Sequence, residues 1–275
     1  GDMVSTKASF DFPGAAALVV FLSSLILALS LGNLAPSGGA VSNILWIVCA
    51  AALIVLIVVM KKKKARAIVP TTVLSDRNIL SLLIFSFFIN MSMMCLYVFM
   101  PLYAMYELKQ SPAMAGLIVT FYGIATLFMG PVYGRVIAKT ANARSVAVLS
   151  AAIRIAALIV LIILLKPATS MYLVFTLMFV LGFSQSGGTV VSAVAAMIQI
   201  PEEKRQLGNA VVQLGPGMGA TIGIAVYSAV IGAAGIAKGF STSLVISTAA
   251  SVIVLCSGLL LRKLPVPAAA EEDQT

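Results

Sequence analysis

Nine acidic residues and the absence of histidine restrict the chemistry open to this sequence. Asp2, Asp11, Asp76, Glu107, Glu202, Glu203, Glu271, Glu272 and Asp273 all fall in polar segments or at the ends of apolar stretches. None lies deep in an apolar run, where a carboxylate has its pKa raised and can carry a proton. Without histidine, the commonest metal ligand and the usual neutral-pH proton shuttle are both missing. Neither a Ser-His-Asp triad nor a His-Glu-x-x-His zinc motif can be written, and no phosphate-binding loop follows a strand. The run Gly215-Pro216-Gly217-Met218-Gly219 sits in an apolar helix instead. Cys49, Cys95 and Cys256 occupy three different apolar stretches and read as small buried thiols, without a disulfide framework. The expectation is a non-enzyme that needs no cofactor and no metal.

What remains is binding. Arg154 is the one charge inside an apolar run, eight residues beyond its start at Val146, about 12 Å deep at 1.5 Å per residue. Such an arginine binds an anionic group of a substrate or a distant carboxylate; alternatively it snorkels to the interface or bonds to main-chain carbonyls. Asn90 and Ser92, Thr120 and Tyr122, Gln185 and Ser186, and Gln213 are the other polar groups at depth. Each either bonds to a neighbouring helix or lines a cavity. Met91, Met93, Met94, Met100 and Met105 cluster beside Phe88, Tyr97 and Phe99, as an adaptable binding wall or as plain core. Met91 and Met94 share a helical face with Phe87 and Asn90. The candidate small-molecule site is therefore Gln185, Asn90, Tyr122, Met94, Gln213 and Arg154, with Gln185 foremost because Ser and Gly flank it.

The elements that must position these groups are membrane spans. Of 275 residues, 61% are hydrophobic and 10% charged, far from the balance of a soluble domain. A span takes about 20 apolar residues, and eight such stretches are present: Gly14 to Leu31, Ile44 to Met60, Ile79 to Tyr106, Ala113 to Ile137, Val146 to Leu165, Met171 to Met197, Asn209 to Ile231 and Leu244 to Leu261. No signal peptide is expected. Asp11 and Pro13 read as a helix start. Fourteen of the 18 Lys and Arg fall on one side of this arrangement, while Lys109, Lys166 and Lys238 fall on the other. By the positive-inside rule both termini are expected in the cytoplasm. The net charge of +9 follows that topology and does not point to nucleic acid. Lys61, Lys62, Lys63 and Lys64 are expected to meet anionic headgroups. The predicted organisation is a two-helix unit (1–60), a basic cytoplasmic linker (61–78), a six-helix unit (79–264) and a disordered tail (265–275).

Two helices carry glycine on one face, which in a membrane lets backbones approach closely. One has Gly116, Gly123, Gly130 and Gly134; the other has Gly208, Gly215, Gly219 and Gly223, with Pro216 and Gly217 loosening the backbone between. Either they pack within the bundle or, given their matching second and fifth positions in the six-helix unit, they face a partner bundle.

The segments "FDFPGAAALVVFLSSLILALSLG", "GPVYGRVIAKTANAR" and, most specifically, "PEEKRQLGNAVVQLGPGMGATIGIAV" resemble the major facilitator superfamily, in its 14-helix drug:proton antiporter branch, over nearly the whole chain. The resemblance implies an all-α membrane fold made of two extra central helices and a six-helix C-terminal half. It implies proton-coupled export of hydrophobic or amphipathic small molecules across the cell (plasma or inner) membrane, by alternating access against an N-terminal six-helix half outside this sequence. The proton-carrying carboxylate is then expected in that half. Of the superfamily's loop motif, Gly130 and Arg135 carry over, with Lys139 and Arg144 as further positions. Gly134 stands where the motif has Asp, which weakens any charge latch there. The resemblance also makes the third helix of a half peripheral, which favours snorkelling or carbonyl bonding for Arg154, and makes the helix of Gln185 central. The alternatives are a non-transporting membrane scaffold or split-gene half, and a transporter of a specific organic anion.

Overall fold

The computed structural model describes residues 39–63, 76–140, 142–166, 169–200 and 205–261, with scattered residues between 16 and 28. The chain forms two compact units, Gly1–Arg77 and Asn78–Thr275. In the first, α1 spans Gly39–Lys63, and the described residues between 16 and 28 are also helical. Ala16, Ala17, Ala51 and Ala52 line an apolar groove with three valines, while Trp46, Ile47 and Ile54 point outward. Most of the stretch Gly14 to Leu31, Lys64, the following linker and the tail lie outside the described residues.

The second unit contains α2 (Arg77–Tyr106), α3 (Pro112–Thr140), α4 (Ala143–Leu164), α5 (Met171–Gln199), α6 (Arg205–Ala234) and α7 (Ile236–Leu260). All six are long and apolar enough to cross a membrane, and no strand occurs among the described residues. The protein is an all-α membrane protein. Where the sequence suggested a last span beginning at Leu244, α7 begins at Ile236. The reason is Gly235, whose φ of +78° is accessible to glycine, so one residue separates α6 from α7. Lys238, expected in a connection, stands exposed in the first turn of α7.

The bundle wears its large apolar side chains outside, as a lipid-facing surface does: Phe128, Leu149, Ile163 and Tyr172 are among the most exposed. Inside, small residues govern the approach of the helices. A methyl added at Gly182 would meet the Tyr122 carbonyl and Ala125 of α3, one at Gly187 would overlap Ser150 of α4, and one at Gly188 would overlap Ile89 of α2. Thus α5 touches three helices through three glycines, and it is the most enclosed span. In α6, Gly215, Gly219 and Gly223 press on Ser86, the Phe87 carbonyl and Met91 of α2. Of the two readings left open by the sequence, packing within the bundle is the one the α6 stripe takes: it is spent on α2, where the Phe87 and Met91 backbone comes close. In α3, Gly116, Gly123 and Gly134 have open space beside them.

Pro216 interrupts α6, since it has no N–H to give the carbonyl four residues earlier. That carbonyl belongs to Val212, and it accepts a hydrogen bond from Ser86 Oγ of α2 at 3.2 Å. A neighbouring helix so satisfies the group that proline released.

The half of the bundle toward the α2–α3 connection is sealed by large apolar residues from all six helices, including Phe99, Tyr103, Leu158, Met178, Tyr227 and Phe240. Tyr103 stacks on Phe240 with ring centroids 4.9 Å apart. The opposite half mixes buried Ser, Gly and Ala with large apolar residues such as Leu82, Phe85, Ile89 and Ile137.

Candidate functional site

Arg154 lies near the midpoint of the 22-residue α4, a helix whose small residues Ala147, Ser150, Ala151 and Ala157 turn inward with it. Its side chain is 0% exposed. The snorkelling or carbonyl-bonded arginine expected from the sequence is not what forms: the guanidinium binds side-chain oxygens. Nε donates to Ser184 Oγ (3.2 Å), Nη1 to Ser92 Oγ (3.1 Å) and Nη2 to Gln185 Oε1 (2.5 Å). An interior bonding set prevails because α5 offers serine and glutamine at adjacent positions, whereas the outward face of α4 is apolar from Val148 to Leu164.

Each partner is itself anchored. Ser184 Oγ donates to the Ser150 carbonyl at 2.8 Å. Ser92 Oγ sits 2.7 Å from Ser247 Oγ and 3.0 Å from Ser251 Oγ, both on α7. The Tyr122 hydroxyl comes close to the guanidinium from α3, yet its oxygen is buried without a hydrogen-bond partner. From α6, Tyr227 brings its own unpartnered hydroxyl toward Ser247. All six helices therefore converge on one cation.

The acidic residues described are Asp76 and Glu107, at opposite ends of α2. Counted along the helix from Ser92, they are about 24 and 22 Å away at 1.5 Å per residue. Among the described residues, no carboxylate shares the surroundings of Arg154.

Against this network lies a cavity of about 450 Å³, lined by Asn90, Met93 and Tyr97 of α2, Tyr122, Gly123, Thr126 and Leu127 of α3, and Gln185 and Thr189 of α5. Gln185 belongs to both, taking Arg154 on Oε1 and bordering the cavity. Tyr97 packs edge-on against Tyr122 at 6.3 Å. Asn90 Nδ2 is held by the Ser86 carbonyl at 2.9 Å. Thr126 Oγ1 bonds the Tyr122 carbonyl, and Thr189 Oγ1 bonds the Gln185 carbonyl, so both threonines turn their hydroxyls into the helices. The cavity is a binding space, apolar along its walls and polar on one side.

Of the six candidates read from the sequence, Gln185, Asn90 and Tyr122 line this cavity and Arg154 stands behind it. Met94 packs against the apolar cluster, and its neighbour Met93 takes the cavity position. Gln213 is exposed on α6, away from this space. Arg135 is exposed, and Gly130 adjoins Ser186 on α5. Ser184, Thr126, Thr189, Ser247 and Ser251 were not singled out by the sequence. The four-residue spacing of Ser243, Ser247 and Ser251 is the signal that could have found the last two.

The sequence model of the Major Facilitator Superfamily matches residues 82–275, which takes in nearly all of the six-helix unit. No curated protein matches the chain.

Proposed function

Since the chain belongs to the Major Facilitator Superfamily and is an integral membrane protein of the secondary transporter type, we propose that it takes part in proton-coupled export of hydrophobic or amphipathic small molecules by alternating access, in the drug-efflux branch. The observation that supports this most is the cavity between α2, α3 and α5, whose Met93, Tyr97 and Leu127 suit an apolar body and whose Asn90, Tyr122 and Gln185 suit a polar group.

Alternating access rocks two bundles around a midplane site. The reading therefore includes a second six-helix half, on this polypeptide or another, opposite the cavity. No carboxylate lies within the described spans, so that half is also the proposed carrier of the proton. The reading includes the cytoplasmic placement of the termini in the cell membrane, anionic lipid at Lys61, Lys62, Lys63 and Lys64, and packing of the open α3 glycines with the second half.

The test is transport by the full protein in proteoliposomes carrying an imposed pH gradient, with a fluorescent lipophilic probe. Movement that follows the gradient and stops with a protonophore is expected. Probe movement indifferent to the gradient would remove proton coupling, and no movement of cationic, neutral or anionic probes would favour a non-transporting scaffold.

A further inference from the structure

An ion at mid-span costs several kcal/mol to bury, and Arg154 is surrounded by neutral oxygens among the described residues. Two side chains carry its influence to the cavity. Gln185 gives Oε1 to the guanidinium, which leaves the amide Nε2 as its remaining polar group. No hydrogen bond among the described residues engages that nitrogen. Tyr122 is 2% exposed and borders the cavity, and its hydroxyl lies beside the Arg154 guanidinium without forming a full hydrogen bond. An amide N–H at the edge of the cavity and a phenolic O–H buried just behind it, beside a full positive charge, make a pair of donors that an anion satisfies. A cation there would meet the charge of Arg154, and a neutral group would leave it uncompensated.

We propose that the cavity binds the anionic head of an amphipathic organic acid at Gln185 and Tyr122, with Arg154 as the countercharge and Met93, Tyr97 and Leu127 against the apolar body. This rests on the cavity being the substrate site and names the substrate class for it. A carboxylate and a sulfonate present the same oxygen chemistry to these donors. The loose fit of methionine and leucine walls leaves the body free to vary.

The experiment measures binding of naphthoate, naphthamide and naphthylmethylamine, which share one ring system, to the detergent-purified full chain. Naphthoate is expected to bind at least roughly tenfold more tightly than naphthamide, a 1.4 kcal/mol difference, and the amine more weakly than either. Gln185→Glu installs a carboxylate beside Arg154, so it should weaken naphthoate by about tenfold or more, and by a clearly larger factor than it weakens naphthamide. Tyr122→Phe should lower naphthoate affinity by a smaller factor. Both variants keep the buried guanidinium and its shape, so they remain informative if Arg154→Met does not fold. Equal binding of acid and amide to the native chain would overturn the proposal, as would equal weakening of both by Gln185→Glu. Preference for the acid without any movement across proteoliposomes would leave this site standing and remove the transport reading. Gradient-driven transport with no preference among the three would do the reverse.

Discussion

Arg154 holds a charge at the centre of a span on side-chain oxygens, and magnitudes explain how. Placing Arg at the middle of a membrane helix costs about 2.5–3.5 kcal/mol on insertion scales. Hydrogen bonds to charged groups return roughly 1.5–3 kcal/mol each, and Arg154 makes three. Its removal would strand few partners. Ser92 keeps Ser247 and Ser251, and Ser184 keeps the Ser150 carbonyl. Gln185 Oε1 is the group left unpaired. Arg154→Met is accordingly expected to cost about 1–3 kcal/mol, with Gln185→Leu in the same chain recovering much of it, measured as thermal unfolding in detergent. If the double variant unfolds as easily as the single one, the cost lies elsewhere than at Gln185. The sequence identified Arg154, Gln185, Asn90 and Tyr122 as groups to watch. It had no means of distinguishing Met93 from Met94, because α2 is apolar all round and lacks the periodicity that reveals a buried face.

At the scale of helices, glycine position in space outweighs glycine spacing in sequence. Gly219 rests on the Phe87 carbonyl, while Gly123 has nothing within 4 Å. Gly219→Ala should force α6 away from α2 and lower stability by about 1–3 kcal/mol, the overpacking range. Gly123→Ala should be neutral or gain up to about 1 kcal/mol from helix propensity. Monodisperse yield and melting temperature in detergent would separate the two, and similar losses at both sites would contradict the packing described. Pro216 and Ser86 form a second couple. Ser86→Ala leaves the Val212 carbonyl unpaired, at about 1 kcal/mol. Combined with Pro216→Ala, whose restored N–H takes up that carbonyl within α6, the loss at Ser86 should shrink. A double-mutant cycle with no coupling would argue against the compensation.

For the whole molecule, orientation is the property most open to test. The basic residues of the six-helix unit gather at one set of connections, with Lys109 and Lys166 at the other. In a cysteine-free background, a cysteine replacing Lys166 should react with a membrane-impermeant maleimide in intact cells, and one replacing Lys139 only after permeabilisation. The opposite pattern would invert the topology. A cysteine-free background is needed because Cys256 is exposed on the outer face of α7, contrary to its reading as a buried thiol. Superfamily membership and six spans make the molecule a membrane transporter by type, whereas cargo and coupling rest on the experiments above.

Composition and span length alone determined that this chain lives in a bilayer as α-helices, because twenty-residue apolar runs have no other stable solution in lipid. Charge placement likewise marked most of the connections, and glycine spacing marked one close-packing helix, α6. Tertiary structure decided which glycine face was used and which left open. It also decided that Arg154 turns inward, where the sequence suggested an outward or carbonyl-bonded head. The physical reason is that its partners come from positions 92, 184 and 185, on two other helices. Their meeting depends on how closely α5 approaches α4 and α2, distances set by Ser150 against Gly187 and by Ile89 against Gly188.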